Sequence, residues 1–245
     1  WRVMETMRLL LPPGHVEVYS VDEAFVDLSH LPTEEIHSFC LELKNKIEQW
    51  TGISVSIGAA PNKVLSKVAN RLAKKNKLKT NCIVVLDTTK KIQAALQQTP
   101  VEDIWGVGFS YSEKLKVYGI NTAYTLSIKD LSWGKRFLGG VVGMRLIREL
   151  KGFKSHHMQA PRIEKKMIAT TRMFGRNVTD WQEIEEALAT YTTRAAEKLR
   201  RQHSAATGIA VFLLFKAPVV FCSAIVAAII LLALHRFRHS SKLTQ

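Results

Sequence analysis

Hydrophobic and polar positions alternate with two different periods along this chain. Residues 1–11 carry apolar side chains at helical spacing and stop at Pro12-Pro13-Gly14. Val16 to Leu28 then reads as strand, V-E-V-Y-S-V-D-E-A-F-V-D-L. Thr33 is a candidate N-cap, and Ile36, Phe39, Cys40, Leu43, Ile47 and Trp50 keep helical spacing up to Thr51-Gly52. A strand follows over Ile53–Gly58, a helix begins near Asn62, and Cys82–Leu86 reads as a buried strand. This order predicts an α+β fold whose sheet is covered by helices on one face.

From 88 to 155 the pattern is short and helical: Thr89–Gln98, Val101–Ile104, Ser112–Tyr118, Ala123–Ile128 and Lys135–Leu150. Gly106-Val107-Gly108 between short helices, with Gly119 further on, has helix-hairpin-helix spacing. Such glycines let backbone N–H groups approach a nucleic-acid phosphate, and they also serve a plain turn that needs φ > 0. Residues 154–162 read as a polar connector. The neighbours His156 and His157 have no evident third metal ligand there, so they read as linker. A strand over Lys165–Phe174, a helix opened by Asp180 and Glu183, and a strand from Gly208 predict a β-α-β start to another domain.

Residues 217–234 carry no charge. That run meets the lower limit for a membrane span and is more uniformly apolar than a half-buried strand requires.

Charge narrows the partners. Lys and Arg number 35 against 21 Asp and Glu, a formal net charge of +14. This favours a polyanion, either nucleic acid or an anionic membrane surface. From Asn62 to Lys79 there are seven basic residues and no acid, and Lys63, Lys67, Arg71 and Lys75 form one stripe at i,i+4 spacing. Exposed helices usually mix signs for pairing, so the stripe is expected to bind anions. The cysteines, Cys40, Cys82 and Cys222, are three in number and far apart, which fits a reducing, cytoplasmic setting.

The chemically unusual feature is the adjacent pair Asp22 and Glu23 inside the first strand-like run. Strands disfavour acids. An exposed strand end accounts for the pair, and so does a metal site, since Mg²⁺ is held by one or two carboxylates plus substrate phosphates. In a straight strand the two side chains point to opposite faces. They can serve one ion only where the chain turns or bulges.

Y-S-V-D-E-A-F-V-D-L (19–28), V-S-I-G-A-A-P-N-K-V-L-S-K-V-A-N-R-L-A-K-K-N (55–76) and P-V-E-D-I-W-G-V-G (100–108) together resemble the Y-family translesion DNA polymerases, UmuC type. F-G-R-N-V-T-D (174–180) and Y-T-T-R-A-A-E-K-L-R (191–200) resemble the start of that family's little-finger domain. The resemblance covers about residues 3–213 and implies error-prone DNA synthesis in the SOS response. It implies that Asp22 and Glu23 hold catalytic Mg²⁺ behind Ser20, and that Lys74 meets the nucleotide triphosphate. Gly106 and Gly108 would grip the DNA backbone, with Thr171 and Arg172 on the template.

It divides the chain into the C-terminal part of a palm (1–86), a thumb (87–155), a linker (156–166), a partial little finger (167–215) and a divergent apolar tail (216–245). Partners implied are primer-template or damaged DNA, dNTP, a UmuD-type subunit, a recombinase filament and a sliding clamp. The family's first metal-binding strand and its fingers are not found ahead of Trp1, and Phe109-Ser110 stands where a basic residue is usual. The expectation is therefore a fragment inactive alone, with DNA binding without chemistry as the alternative. A shifted frame or a fusion accounts for the tail more simply than an anchor at 217–234 would.

Overall fold

The computed structural model describes residues 1–158, 167–214 and 227–235. The chain forms two compact units, Trp1–Pro161 and Arg162–Gln245.

In the first unit, α1 (Arg2–Leu10) leads into β1 (Val16–Val18) and β2 (Ala24–Val26). These two strands form an antiparallel hairpin with Val16 opposite Val26 and Val18 opposite Ala24. A 3-10 turn at Thr33–Glu35 precedes α2 (Ile36–Thr51), so Thr33 opens that turn and does not cap the helix. Gly52, at φ 69°, ends α2 in the left-handed conformation that glycine adopts without penalty.

β3 (Ile57–Ala59) then pairs in parallel with β4 (Ile83–Val85) across α3 (Lys63–Lys75) and α4 (Lys77–Thr80). The four strands form two separate pairs, where one sheet was expected. Asn62 starts α3 by accepting the Leu65 N–H at 3.0 Å. Gly58 allows the close approach of β3 and α3: a Cβ there would collide with the backbone of Ser66 and Asn70.

Five further helices complete the unit: α5 (Thr89–Gln98), α6 (Phe109–Val117), α7 (Ala123–Ser127), α8 (Leu131–Phe137) and α9 (Val141–Leu150). The helix expected over 135–150 is thus two, broken at Gly139 and Gly140, whose φ values of 76° and 71° no helix accommodates. Val64, Leu65 and Val68 of α3 share one buried core with Leu96, Ile104, Leu115, Leu126 and Ile147. Each such side chain stabilises by about 1.5–3 kcal/mol on burial. That common core makes 1–86 and 87–155 one body. Met4, Met7, Leu11, Val16, Leu43 and Ile47 form a second core under α1 and the hairpin.

The second unit contains β5 (Met167–Met173), α10 (Trp181–Arg201), β6 (Ala205–Leu214) and β7 (Ala227–His235). Its sheet has the order β5-β7-β6, antiparallel throughout. Ile168, Ala195 and Leu199 are its buried centre.

β7 lies inside the run read as a membrane span or divergent tail. The described part of that run is a central strand, hydrogen-bonded on both edges, and such strands tolerate continuous apolar sequence. Residues 217–226 of the run, and most of the connector at 156–166, lie outside the described residues. No helix among the described residues is long and apolar enough to cross a membrane.

Candidate active site

The acidic pair sits where the chain reverses. Tyr19 and Ser20 both donate their backbone N–H to the Glu23 carbonyl, at 2.9 and 3.0 Å, closing a turn between β1 and β2. Asp22 is at the tip and Glu23 at the exit, so the straight-strand geometry that would send them apart does not apply. The Ser20 hydroxyl donates to the Asp22 carboxylate at 2.7 Å. That bond, then an N–H of the turn, and then the positive charges of Lys74 and Lys67 hold the Asp22 carboxyl below its ordinary range. Glu23 accepts from Lys67 Nζ at 2.5 Å.

An aromatic cluster ties this turn to the helical part of the unit. Trp105 meets Tyr19 edge-on at 5.5 Å and Phe25 at 5.8 Å, and His156 packs against it at 5.9 Å. Trp105 directly precedes Gly106, whose φ of 96° suits glycine alone. Gly108 is the N-cap of α6 and supplies no side-chain acceptor, so side chains leave the first N–H groups of that helix uncapped. Phe109 beside it is 84% exposed.

The basic stripe of α3 is not the bare anion-binding face that helix-local reasoning predicts. Lys63 is buried and donates to both carboxylate oxygens of Glu17 and to the His157 carbonyl. Lys67 is held by Glu23, and both Arg71 and Lys75 are paired with Asp103. Lys63, expected at the DNA, is thus a buried cation paired with Glu17 in this structure. Lys67 and Arg71, also expected at the DNA, are ion-paired here. The acids lie far away in sequence, 46 residues for Glu17 and 32 for the Arg71 partner, so counting signs along the helix cannot find them. Lys74, a turn away, is exposed and forms no ion pair among the described residues, while its charge acts on the Asp22 carboxylate.

The connector beyond α9 is also anchored. Glu149 is fully buried, and one of its oxygens accepts from the Ser155 and His156 N–H groups and meets His156 Nδ1 at 2.8 Å. Nothing local in the sequence separates that role from a solvated linker. In the second unit Thr171 and Arg172 are adjacent on β5 and therefore point to opposite faces, while Thr170 is buried.

Two family matches settle the relationship. Residues 2–71 match the impB/mucB/samB family, and residues 165–243 match the impB/mucB/samB family C-terminal domain. The chain belongs to the impB/mucB/samB family. The second match runs through the apolar tail, so family likeness does not stop near residue 213 as expected from motifs alone.

Among individual relatives, "Protein UmuC" of Salmonella typhimurium is 38% identical over 212 residues, covering 86% of this chain and 50% of that protein. "Protein ImpB" of Salmonella typhimurium is 35% identical over 204 residues, covering 81% and 47%. The chain thus spans about half the length of the curated relatives it matches. A solved Y-family DNA polymerase chimera has a TM-score of 0.71 at 18% identity, covering 95% of this chain and 74% of that one. This impB/mucB/samB chain has the α+β fold of Y-family polymerase domains.

Asp22 and Glu23 have the chemistry magnesium prefers, hard anionic oxygens at one turn, with Asp22 kept ionised. Among the described residues no group of three or more His, Cys, Asp and Glu side chains could hold a metal ion.

Proposed function

We propose that this chain contributes part of the active site and part of the DNA-binding surface of an error-prone translesion DNA polymerase. The observation that carries the reading is the β1–β2 turn. It presents Asp22 and Glu23 together, with Lys67 on one carboxylate and the charge of Lys74 felt by the other. Asp22 and Glu23 would hold Mg²⁺ with the nucleotide's phosphates. The ion's chemistry there is charge neutralisation on the triphosphate and activation of the primer hydroxyl.

The protein's own groups position and stabilise charge. Ser20 keeps Asp22 ionised and aimed, and Lys67 holds the Glu23 carboxylate in place. Lys74, exposed and beside the Asp22 carboxylate, meets the dNTP triphosphate. Gly106 and Gly108 bring backbone N–H groups to a phosphate of primer-template DNA, and Thr171 approaches the template from the open face of β5. Trp105 holds the DNA-gripping turn against the carboxylate turn, so the two move as one piece. A UmuD-type subunit, a recombinase filament and a sliding clamp are carried as partners by the family resemblance alone.

Two carboxylates are a partial cage. The 245-residue chain is therefore expected to bind primer-template DNA with strong salt dependence and not to extend it. A primer-extension assay with Mg²⁺ and all four dNTPs, run beside a binding titration at two salt concentrations, tests this. Template-dependent extension would show that the chain's site is complete. Absence of binding at low salt would remove the DNA-contact reading.

A further inference from the structure

The helical part of the first unit carries an aromatic cluster that its core covers only in part. Trp133 and Phe137 of α8 stack at 5.1 Å, and Tyr118 at the end of α6 meets them edge-on at 6.2 and 5.5 Å. Trp133 also rests on the buried core, which fixes the cluster in place. Tyr118 is 49% exposed, and Val117 before it is 85% exposed. Contiguous apolar surface left in water marks a place of contact, whereas single exposed side chains do not.

Three cations lie over these rings. Lys129, between α7 and α8, is 5.7 Å from the Trp133 ring centre, and Lys114 and Arg136 are 6.0 and 5.5 Å from that of Phe137. Lys114 also donates to the Phe137 carbonyl at 3.2 Å, which ties its charge to the end of α8. None of the three forms an ion pair among the described residues, unlike the cations of the α3 stripe. Between residues 109 and 151 the chain has eight Lys and Arg against three acids. Glu113 is paired with Lys116, and Glu149 is buried against His156. Asp130 is the acid that remains, so the patch keeps a net positive charge.

We infer that this patch docks an acidic segment of another protein, one that carries an aliphatic or aromatic anchor among its carboxylates. The anchor covers the exposed edges of the rings, and the carboxylates pair with Lys114, Lys129 and Arg136. Aromatic side chains and arginine supply most of the binding energy where proteins meet, and complementary charge selects the partner. Two observations favour a protein over a nucleic acid. The ring faces of Trp133 and Phe137 are used by each other and by the cations, whereas a base needs a free face to stack on. Tyr118 caps the end of α6 opposite Gly108, about 13 Å along the helix from the turn proposed to meet DNA. The docking surface does not depend on the polymerase reading.

The test is fluorescence anisotropy of a labelled peptide, D-D-E-F-E-E-L-D-D, titrated with the 245-residue chain at roughly 0.15 M salt, where loose charge attraction is screened. Saturable binding is expected. Serine in place of the two apolar residues of the peptide should weaken it about fivefold or more, as the loss of an anchor does. Tyr118→Ser and, separately, Lys129→Gln/Arg136→Gln should weaken it by a similar factor at unchanged melting temperature. Lys77→Gln/Lys79→Gln, which removes two exposed charges elsewhere on the same unit, should leave it unchanged.

No saturable binding by the wild type overturns the inference. Equal affinity for the serine peptide overturns it too, since the surface would then attract any polyanion. So does an equal loss in the Lys77/Lys79 control. A short oligothymidylate that displaces the peptide would make the patch a nucleic-acid surface and overturn the protein partner. Should Tyr118→Ser unfold, the Lys129/Arg136 variant decides: weakened binding supports the patch, and unchanged binding overturns it.

Discussion

Lys63 Nζ donates to both carboxylate oxygens of Glu17, at 2.8 and 2.7 Å, and joins the first residue of α3 to the middle of β1. Both side chains are only 9% exposed. Neither ion can be left alone there, because an unpaired buried charge costs several kcal/mol. Lys63→Met or Glu17→Gln is expected to destabilise the first unit by about 3–5 kcal/mol. Lys63→Met with Glu17→Leu should recover most of that loss. Urea denaturation of the three variants measures it, and equal losses in all three would show that packing dominates over charge.

Ser20 is expected to set the ionisation of Asp22. Its hydroxyl is the largest cause of the lowered carboxyl value, ahead of an N–H of the turn and of Lys74 and Lys67. Ser20→Ala should raise the Asp22 value toward the ordinary aspartate range. A depressed folded-state value contributes stability above the unfolded value and loses it as pH falls through the folded value. Asp22 is solvent-exposed, so that contribution to folding is negligible. Divalent-ion binding reports the change instead: in Ser20→Ala it should fail at a higher pH than in the wild type. A carboxyl-selective NMR titration measures the shift directly, and an unshifted Asp22 would remove Ser20 from the site.

Gly58→Ala should separate β3 from α3. The added Cβ meets backbone atoms of Ser66 and Asn70, which cannot rotate away as a side chain can. Overpacking of this kind typically costs about 1–3 kcal/mol, and rigid backbone on the far side places Gly58 at the upper end. Thermal unfolding gives the loss. α3 carries Lys67 and Lys74, so DNA and nucleotide affinity should fall with it even though Gly58 touches neither ligand.

Gly106→Ala should weaken DNA binding more than it weakens the fold. The residue holds φ at 96°, where an L side chain is strained by about 1–3 kcal/mol, and a Cβ there would meet open space. The strain is relieved by changing the turn, which moves the N–H groups that open α6. Comparing melting temperature with primer-template affinity separates the two effects. Affinity that tracks stability alone would make Gly106 a plain turn residue.

The chain's periodicities were sufficient for α1, α5, the end of α2 at Gly52 and the Asn62 start of α3, because caps and apolar spacing act within one turn of chain. The three polymerase-like motifs and the acidic pair were legible for a related reason: local chemistry requires particular residue types at fixed spacing. The partners of the α3 cations were not legible. Glu17, Glu23 and Asp103 reach Lys63, Lys67, Arg71 and Lys75 only through folding, across 28 to 46 residues.

The Gly139–Gly140 break and the placing of Ala227–His235 between β5 and β6 were hidden for a different reason. An apolar run has the same composition as a central strand or as a membrane helix, and only hydrogen bonds on both edges distinguish them. The sequence by itself determined the residue chemistry: two adjacent acids, a basic helix and glycines at a turn. Tertiary structure decided which charges remain available. It neutralised the α3 stripe with distant carboxylates and left Lys74 exposed near Asp22. Charge acts over distance in space, and a sequence lists neighbours only along the chain.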